Sequence, residues 1–535
     1  MNRCLPRVIV VGAGIGGLAA AVDLSRRGVE VIVVERAPAV GGKMRELIID
    51  GRGVDSGPTV MTMRWVFDEL FAAAGERLED HVGLTAMEVL ARHGWPDGGR
   101  LDLFTDIERS ADAIGRFASA RDAAGYRRFC EHTRRTYEAV RGPFIAERRP
   151  TLPSLVRSLG WRGLGQIADV DVHRTMWRAL GEFFVDPRLR QLFGRYATYY
   201  GSSPFKAPAT LNLIAHVERL GVWSVDGGMY RLAEALAGLA RAQGAVIRCG
   251  EEVAEILVDE RRASGVRLAS GERLAADAVV ANVDVAALAR GLLGPQVARS
   301  VGAPDPKRRS LSALTWSMVA EARGFPLSRH TVIFSGDYRA EFDALVRGCR
   351  LPSDPTVYIC AQDRRCDASG ARTAAAADAD GERLFVLVNA PARGGEGYFS
   401  ANAAGSAGEI EACEAATFRA LRRAGLEITR DPARTRRTSP DDFSRMFPGT
   451  GGAIYGAATH SWSASLSRPG ARTKIPGLYL AGGSAHPGAG VPMVALSGRF
   501  AATTLAEDLA STASSRRTDT PGGTSTPSAT TGASA

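Results

Sequence analysis

The sequence predicts an α/β fold, a Rossmann-type dinucleotide-binding domain with an inserted mixed α+β domain. Three observations point to it. A strand-like run, Arg7-Val-Ile-Val-Val11, leads through a glycine-rich turn into a helix-like run over residues 16–27. A second strand-like run over residues 29–35 ends in an acid, so β-turn-α-β closes within the span a parallel crossover needs. Near the other end, residues 478–481 form a short apolar run that opens into another glycine-rich loop and a helix.

Each element has its own reason. Val8–Val11 is an unbroken β-branched run, the mark of a strand buried on both faces. Leu18, Val22 and Leu24 stand among small alanines and make residues 16–27 a helix. Residues 60–75 read as helical. Residues 110–200 carry Arg, Ala, Leu and aromatics at helical spacing, broken by Pro143, Pro150, Pro153 and Pro187. A helix over 229–243 follows Gly227-Gly228. Residues 245–283 alternate as strands, with a turn at Ser270-Gly271-Glu272, and Ala278-Val-Val-Ala-Asn282 is a buried strand reaching a ligand-facing loop. Residues 311–395 mix strands and loops, 408–425 form a helix, and a final helix covers 492–510. From Ser511 the composition collapses into Ser, Thr, Pro, Gly and Ala, which predicts a disordered tail over 511–535.

Bulk properties exclude several classes. A chain of 535 residues with 45% hydrophobic content can bury two or three units. A net charge of +9 suits nucleic acid or an anionic membrane surface. The basic residues are dispersed and no recognition motif accompanies them, so no nucleic acid partner is expected. Cys4, Cys130, Cys249, Cys349, Cys360, Cys366 and Cys413 are scattered without a CxxC pair. Neither a zinc ribbon nor a redox dithiol is indicated, no metal is expected, and the usage suits a reducing compartment, the cytoplasm. The apolar run from Val8 to Val22 mimics a signal peptide, but its glycines have a mechanical role and it is too short to span a bilayer.

The glycines Gly12, Gly14 and Gly17 form GxGxxG between strand and helix. The first permits the tight turn, the second lets backbone approach a pyrophosphate, and the third lets helix pack on strand. The helix N-terminus offers free N–H groups and partial positive charge to phosphate. Glu35, at the end of the second strand, can accept hydrogen bonds from ribose hydroxyls and disfavours a 2′-phosphate, leaving FAD or NAD. Beyond it, Gly41-Gly42-Lys43-Met44-Arg45 resembles the extended dinucleotide signature of two-domain FAD enzymes. Lys43 and Arg45 are then candidates for pyrophosphate or flavin contact; a surface turn with solvated cations is the plainer alternative. The side-chain-poor turn Val54-Asp-Ser-Gly-Pro58-Thr59 suits close approach to a flat ring, and Val253 lies where the same domain resumes. At the far end, Gly482, Gly490, Val491, Pro492 and Met493 bring a second helix N-terminus toward the negative charge of a reduced flavin. His486, in that loop, is a candidate acid or base, or a residue that holds backbone.

The two end motifs together resemble the amine oxidase–phytoene desaturase superfamily of flavoproteins. The middle resembles the bacterial carotenoid desaturases: Asp186-Pro-Arg-Leu-Arg-Gln-Leu-Phe193, Tyr199-Tyr-Gly-Ser-Ser-Pro204, Gly221-Val-Trp-Ser-Val-Asp-Gly-Gly-Met229, Ala281-Asn-Val-Asp284 and His330-Thr-Val-Ile-Phe334. The resemblance covers roughly residues 5–510. Leu192-Phe-Gly-Arg-Tyr-Ala-Thr198 and Val89-Leu-Ala-Arg-His-Gly-Trp-Pro-Asp97 look most like the 1-hydroxycarotenoid 3,4-desaturase branch, also called hydroxyneurosporene or methoxyneurosporene dehydrogenases.

This resemblance implies hydride transfer from a polyene C–H to flavin N5 and loss of a proton from the neighbouring carbon. It implies non-covalent FAD, since no cysteine follows Cys413 as a point of attachment. It implies a carotenoid substrate dissolved in membrane, a peripheral association with the bacterial inner membrane, and quinone or oxygen as electron acceptor. Residues 151–165 hold no Asp or Glu to serve as a base; Asp186, Arg188 and Arg190 are candidates, or simply parts of a surface helix. Residues 148–184 mix Leu152, Leu155, Trp161, Trp177, Phe183 and Phe184 with Arg157, Arg162, Arg174 and Arg178, fit for a membrane interface or for an internal helical layer. The expected organisation is an FAD-binding domain from 1–85, 216–305 and 446–510, a helical substrate- and membrane-associating region over 86–215, and a substrate domain over 306–445. Phytoene or neurosporene desaturation, carotene isomerisation and a non-enzymatic lipid escort are the alternatives on this scaffold.

Overall fold

The expected βαβ unit forms from β1 (Arg7–Val11), α1 (Ile15–Ser25) and β2 (Glu30–Glu35) in the computed structural model, which describes residues 5–148, 171, 173–373, 380–393, 403–461, 464 and 467–518. β1 is central in a parallel sheet of five strands, in the order Val246–Cys249, β2, β1, Ala278–Ala281, Leu478–Leu480. Stretches hundreds of residues apart thus share one sheet. The two-residue period of the strands explains its layering. Val8, Val10, Val31, Val33 and Val280 face one core with α1 and the helices Tyr230–Ala242 and Val491–Thr518. Ile9, Val11, Val34, Val279 and Ala281 face the other, against the antiparallel strands Val253–Asp259, Arg262–Leu268 and Arg273–Ala275.

The second domain is built on an eight-stranded sheet. Its longest strand, Ser312–Gly324, pairs with Glu382–Ala390, Leu426–Thr429 and Thr435–Thr438. Val357–Ala361 and His330–Ile333 continue the sheet to the hairpin Val89–Gly94/Arg100–Phe104. One face, with Leu314, Trp316, Val386 and Ile359, packs against helix Ala403–Arg423 through Phe418 and Leu421. The other face carries Thr315, Ser317, Tyr358 and His330 and is turned to the dinucleotide-binding domain.

Four expectations change. The hairpin at residues 89–104 lies in a stretch read as helical; its strands belong to the sheet of the second domain. Residues 60–75 hold a short strand, Met61–Thr62, before the helix Trp65–Ala73. The final helix runs to Thr518, beyond the expected start of the tail, whose remaining residues 519–535 lie outside those described. Of the candidate membrane segment 148–184, residues 149–170 and 172 also lie outside them, and with them the acid-free stretch 151–165. In the described remainder, Trp177 packs on Phe205 at 4.7 Å, Phe184 is buried against Phe193, and Arg174 pairs with Asp171 and Glu182. In this remainder Met176, Ala179, Leu180 and Phe184 are buried, Trp177 and Phe183 half-buried, and Arg178 exposed. Among the described residues, no helix is long and apolar enough to cross a membrane.

Candidate active site

The phosphate cradle follows from three close approaches. Gly12 adopts φ +97° and its N–H bonds the carbonyl of Val34 at 2.8 Å. A Cβ on Gly17 would drive into the carbonyl of Gly12, and one on Gly42 would press on the Cα of Gly14. α1 starts at Gly14 with no side-chain cap and no acid in its first turn, so its positive end stays open to an anion. Asn282 closes the turn by donating Nδ2–H to the carbonyl of Gly12 at 3.1 Å.

Glu35 is buried at the edge of the sheet and accepts from the N–H of Ala13 at 2.7 Å and of Ala37 at 2.8 Å. Its carboxylate is fixed beside the glycine turn. The backbone of Gly250 and Glu251 bonds the carbonyls of Ala37 and Glu35, which leads Val253 into the core beside Val34. The structure therefore brings Gly12, Gly14, Gly17, Glu35, Gly42 and Val253 around one sheet edge.

Lys43 and Arg45 are not solvated surface cations. Lys43 Nζ donates to the carbonyl of Ile454 at 2.7 Å and lies over the Phe447 ring. Burial pushes its pKa down, against the attraction of Asp284. Burial likewise lowers Arg45, which donates to Thr438 Oγ1 at 2.9 Å while its Nε finds no partner among the described residues. Two half-buried cations, one with an unused donor, suit an anionic or carbonyl-rich group brought against them.

The turn carrying Pro58 and Thr59 is stitched to the second domain. Ser56 Oγ meets Ser317 Oγ at 2.7 Å, and Thr59 Oγ1 meets the Tyr358 hydroxyl at 2.6 Å. Asp55 secures its start, accepting from the N–H of Met229 at 2.5 Å and Tyr230 at 3.1 Å. At the far end, Gly482 and Gly490 take φ +110°, and helix Val491–Thr518 begins at Val491-Pro492-Met493 with no acid in its first turn. The loop is clamped by buried Arg468, whose Nη1 donates to the carbonyl of Gly483 at 2.6 Å and Nη2 to that of Ala457 at 3.0 Å.

The four catalytic candidates take structural places. His486 is buried and its Nε2 lies 2.8 Å from the carbonyl of Glu147, with its ring stacked on Phe500. Burial lowers its pKa to about 4, so it is a neutral backbone holder. Asp186 caps helix Pro187–Gly194 through the N–H of Arg188 at 2.8 Å. Arg188 pairs back to Asp186 at 2.7 Å and to Asp97 at 2.9 Å. Arg190 donates Nε–H to the carbonyl of Phe184. Among the described residues, none of them hydrogen-bonds the turn at residues 56–59.

A polar cluster does. His330 Nδ1 lies 2.7 Å from the Tyr358 hydroxyl, which also meets Thr59. The Arg195 guanidinium stands over Tyr358 at 5.3 Å and over Tyr199 at 5.6 Å. Glu218 accepts from the hydroxyls of Tyr196 at 2.6 Å and Tyr199 at 2.7 Å. Burial lowers the pKa of His330 to about 3, with Arg329 and Arg195 adding to it. Burial raises that of Glu218 against its tyrosine donors. Asn282, Arg468 and this cluster were not singled out as site residues from the sequence. Their signal there is slight: the segments Ala281–Asp284, Tyr199–Pro204 and His330–Phe334 carry the family resemblance without indicating which side chain acts.

Chemically, the site offers a helix N-terminus open to an anion, a fixed carboxylate at Glu35, the partly buried cations Lys43 and Arg45, and a cluster of hydroxyls and aromatics. Comparison with known proteins agrees with such a site. A family model described as flavin containing amine oxidoreductase matches residues 15–322. A hydroxyneurosporene desaturase of Rubrivivax gelatinosus is 51% identical over 98% of this chain and 98% of its own. One of Cereibacter sphaeroides is 45% identical over 96% and 99%. Among solved structures, cyclohexylamine oxidase from Brevibacterium oxydans IH-35A aligns over 95% of this chain and 100% of its own, with a TM-score of 0.54 at 16% identity, a likeness of fold.

Proposed function

The chain belongs to the flavin containing amine oxidoreductase family, among its carotenoid desaturases, and from that premise we propose that it introduces the C-3,4 double bond into an acyclic 1-hydroxycarotenoid of the 1-hydroxyneurosporene type. It is an FAD-dependent oxidoreductase acting on CH–CH bonds in carotenoid biosynthesis. The observation that carries the substrate is the 51% identity to a hydroxyneurosporene desaturase along nearly the whole length of both chains.

Desaturation removes two hydrogens from adjacent carbons, one as hydride and one as a proton. Bound FAD supplies the hydride acceptor. The α1 N-terminus with Gly12, Gly14 and Gly17 would hold its pyrophosphate, and Glu35 would hold a ribose. Val253, in the core beside Val34, would lie on the adenosine side. Gly42, Lys43, Arg45, Pro58 and Thr59 line the path to the ring, where Gly482, Gly490 and the helix start Val491-Pro492-Met493 place positive dipole. The inner faces of the two domains keep water from the reacting carbons. The two electrons then pass to quinone or oxygen.

The carotenoid reaches the enzyme from membrane, so the protein works in the cytoplasm at the inner membrane surface. Support comes from the net charge of +9, which suits an anionic membrane surface. The direct test is expression in cells that accumulate 1-hydroxyneurosporene, followed by pigment extraction. The expected product has lost two hydrogens and absorbs at longer wavelength. Unchanged pigment, with FAD bound and protein at the membrane, overturns the assignment, and phytoene and neurosporene are then the substrates to try.

A further inference from the structure

A 3,4-desaturation sets a geometric demand on the site. The C-1 oxygen is only three or four bonds from the reacting carbons, so with bonds of about 1.5 Å it lies no more than about 5 Å from them. Whatever group meets that hydroxyl must stand beside the flavin ring. Burying the hydroxyl unpaired in an apolar tunnel would cost binding.

The sheet of the second domain supplies such a group. Register places His330 opposite Cys360, Val332 opposite Tyr358, Tyr358 opposite Leu387, and Leu387 opposite Thr315. These side chains share the face turned to the turn at residues 56–59, because Tyr358 touches Thr59 and the adjacent Ser317 touches Ser56. Most side chains of the strands Val357–Ala361 and Glu382–Ala390 are buried, yet Tyr358, Leu387 and Asn389 on this face are only half-buried, as the lining of a cavity is. His330 is 2% exposed, and its Nε2 finds no partner among the described residues; nor does the buried Thr315 Oγ1. A buried imidazole nitrogen and a hydroxyl left unpaired are open hydrogen-bonding positions.

We propose that the chain Thr59–Tyr358–His330 receives the substrate's C-1 hydroxyl, and so holds C-3 and C-4 at the flavin and selects hydroxylated carotenoids. The inference rests on the desaturase reading above. Arg195 stands over the Tyr358 ring at 5.3 Å and holds it in place against this face. Thr59, Tyr358 and His330 are positioning residues: they choose which bond lies in reach.

The test uses FAD-loaded enzyme in vesicles, with 1-hydroxyneurosporene and neurosporene compared. Binding is read from the carotenoid absorption shift, and kcat and KM from product. Wild-type enzyme is expected to bind the hydroxylated carotenoid at least roughly tenfold more tightly, the scale of one or two hydrogen bonds. Tyr358→Phe and Thr59→Val are each expected to shrink that preference about tenfold, mainly through KM, and Tyr358→Phe, which lies outside the flavin-binding residues, retains full flavin absorbance. Equal wild-type affinity for the two carotenoids overturns the inference whatever the variants do. So does a variant that weakens both substrates alike. Wild-type enzyme that converts neither carotenoid overturns the desaturase reading itself, and this inference with it.

Discussion

Gly17 shows how much one residue can decide. A methyl group there meets the carbonyl of Gly12, which is itself fixed by the bond from its N–H to Val34 and by Asn282. The strand-to-helix turn would have to open. Gly17→Ala is expected to lose bound FAD, seen as loss of flavin absorbance on purification, and to destabilise the fold by about 1–3 kcal/mol in chemical denaturation. The glycines and Glu35 are legible in sequence because their partners lie within a few tens of residues, at spacings the cofactor imposes. His486 is not. Its partner is the carbonyl of Glu147, and only the fold brings the two together. The Thr59–Tyr358–His330 chain is opaque for the same reason, since it joins three segments across two domains.

Elements depend on one another in the same way. Helix Tyr230–Ala242 begins at the Gly227-Gly228 turn, and its first N–H groups are satisfied by Asp55 from a distant hairpin. Gln362 of the second domain in turn bonds the Asp55 backbone, accepting from its N–H at 3.0 Å and donating to its carbonyl at 3.0 Å. Asp55 thus ties a helix of one domain to the sheet of the other. Asp55→Ala leaves two buried donors without a charged acceptor and is expected to cost about 2–4 kcal/mol, with a matching drop in Tm. Asp55→Asn keeps an acceptor and is expected to lose less. The βαβ unit and Leu478–Leu480 could be read from sequence because unbroken apolar runs announce buried parallel strands. The hairpin at 89–104 could not. Its strands are short, and their place in an eight-stranded sheet depends on pairing with His330–Ile333, more than 200 residues away.

Over the whole molecule, the buried histidines give stability a direction in pH. Burial is the largest cause of the low pKa in each: about 3 for His93 and His330, and about 4 for His216, His460 and His486, against an ordinary value of 6.5. These groups stay neutral in the folded state while the unfolded chain protonates them. Their contribution is complete above pH 6.5 and is lost as pH falls toward 4. Glu341 acts the other way. Burial raises its carboxyl to about 7, so acid relieves part of its cost. Glu218 and Asp55, also raised by burial, share that sense. The imidazoles pull stability down as pH falls below 6.5, and the raised carboxyls offset part of that loss. His93 and His330 sit in the second domain's sheet and His486 holds the loop beside the flavin helix, so both domains weaken together. Thermal melts of the holoenzyme between pH 7.5 and pH 4.5 are expected to show Tm falling steadily below pH 6.5, with FAD released in the same transition. A Tm that holds level to pH 4.5 would mean that the raised carboxyls, Glu341 foremost, cancel the loss from the imidazoles, and Glu341→Gln would then restore the fall.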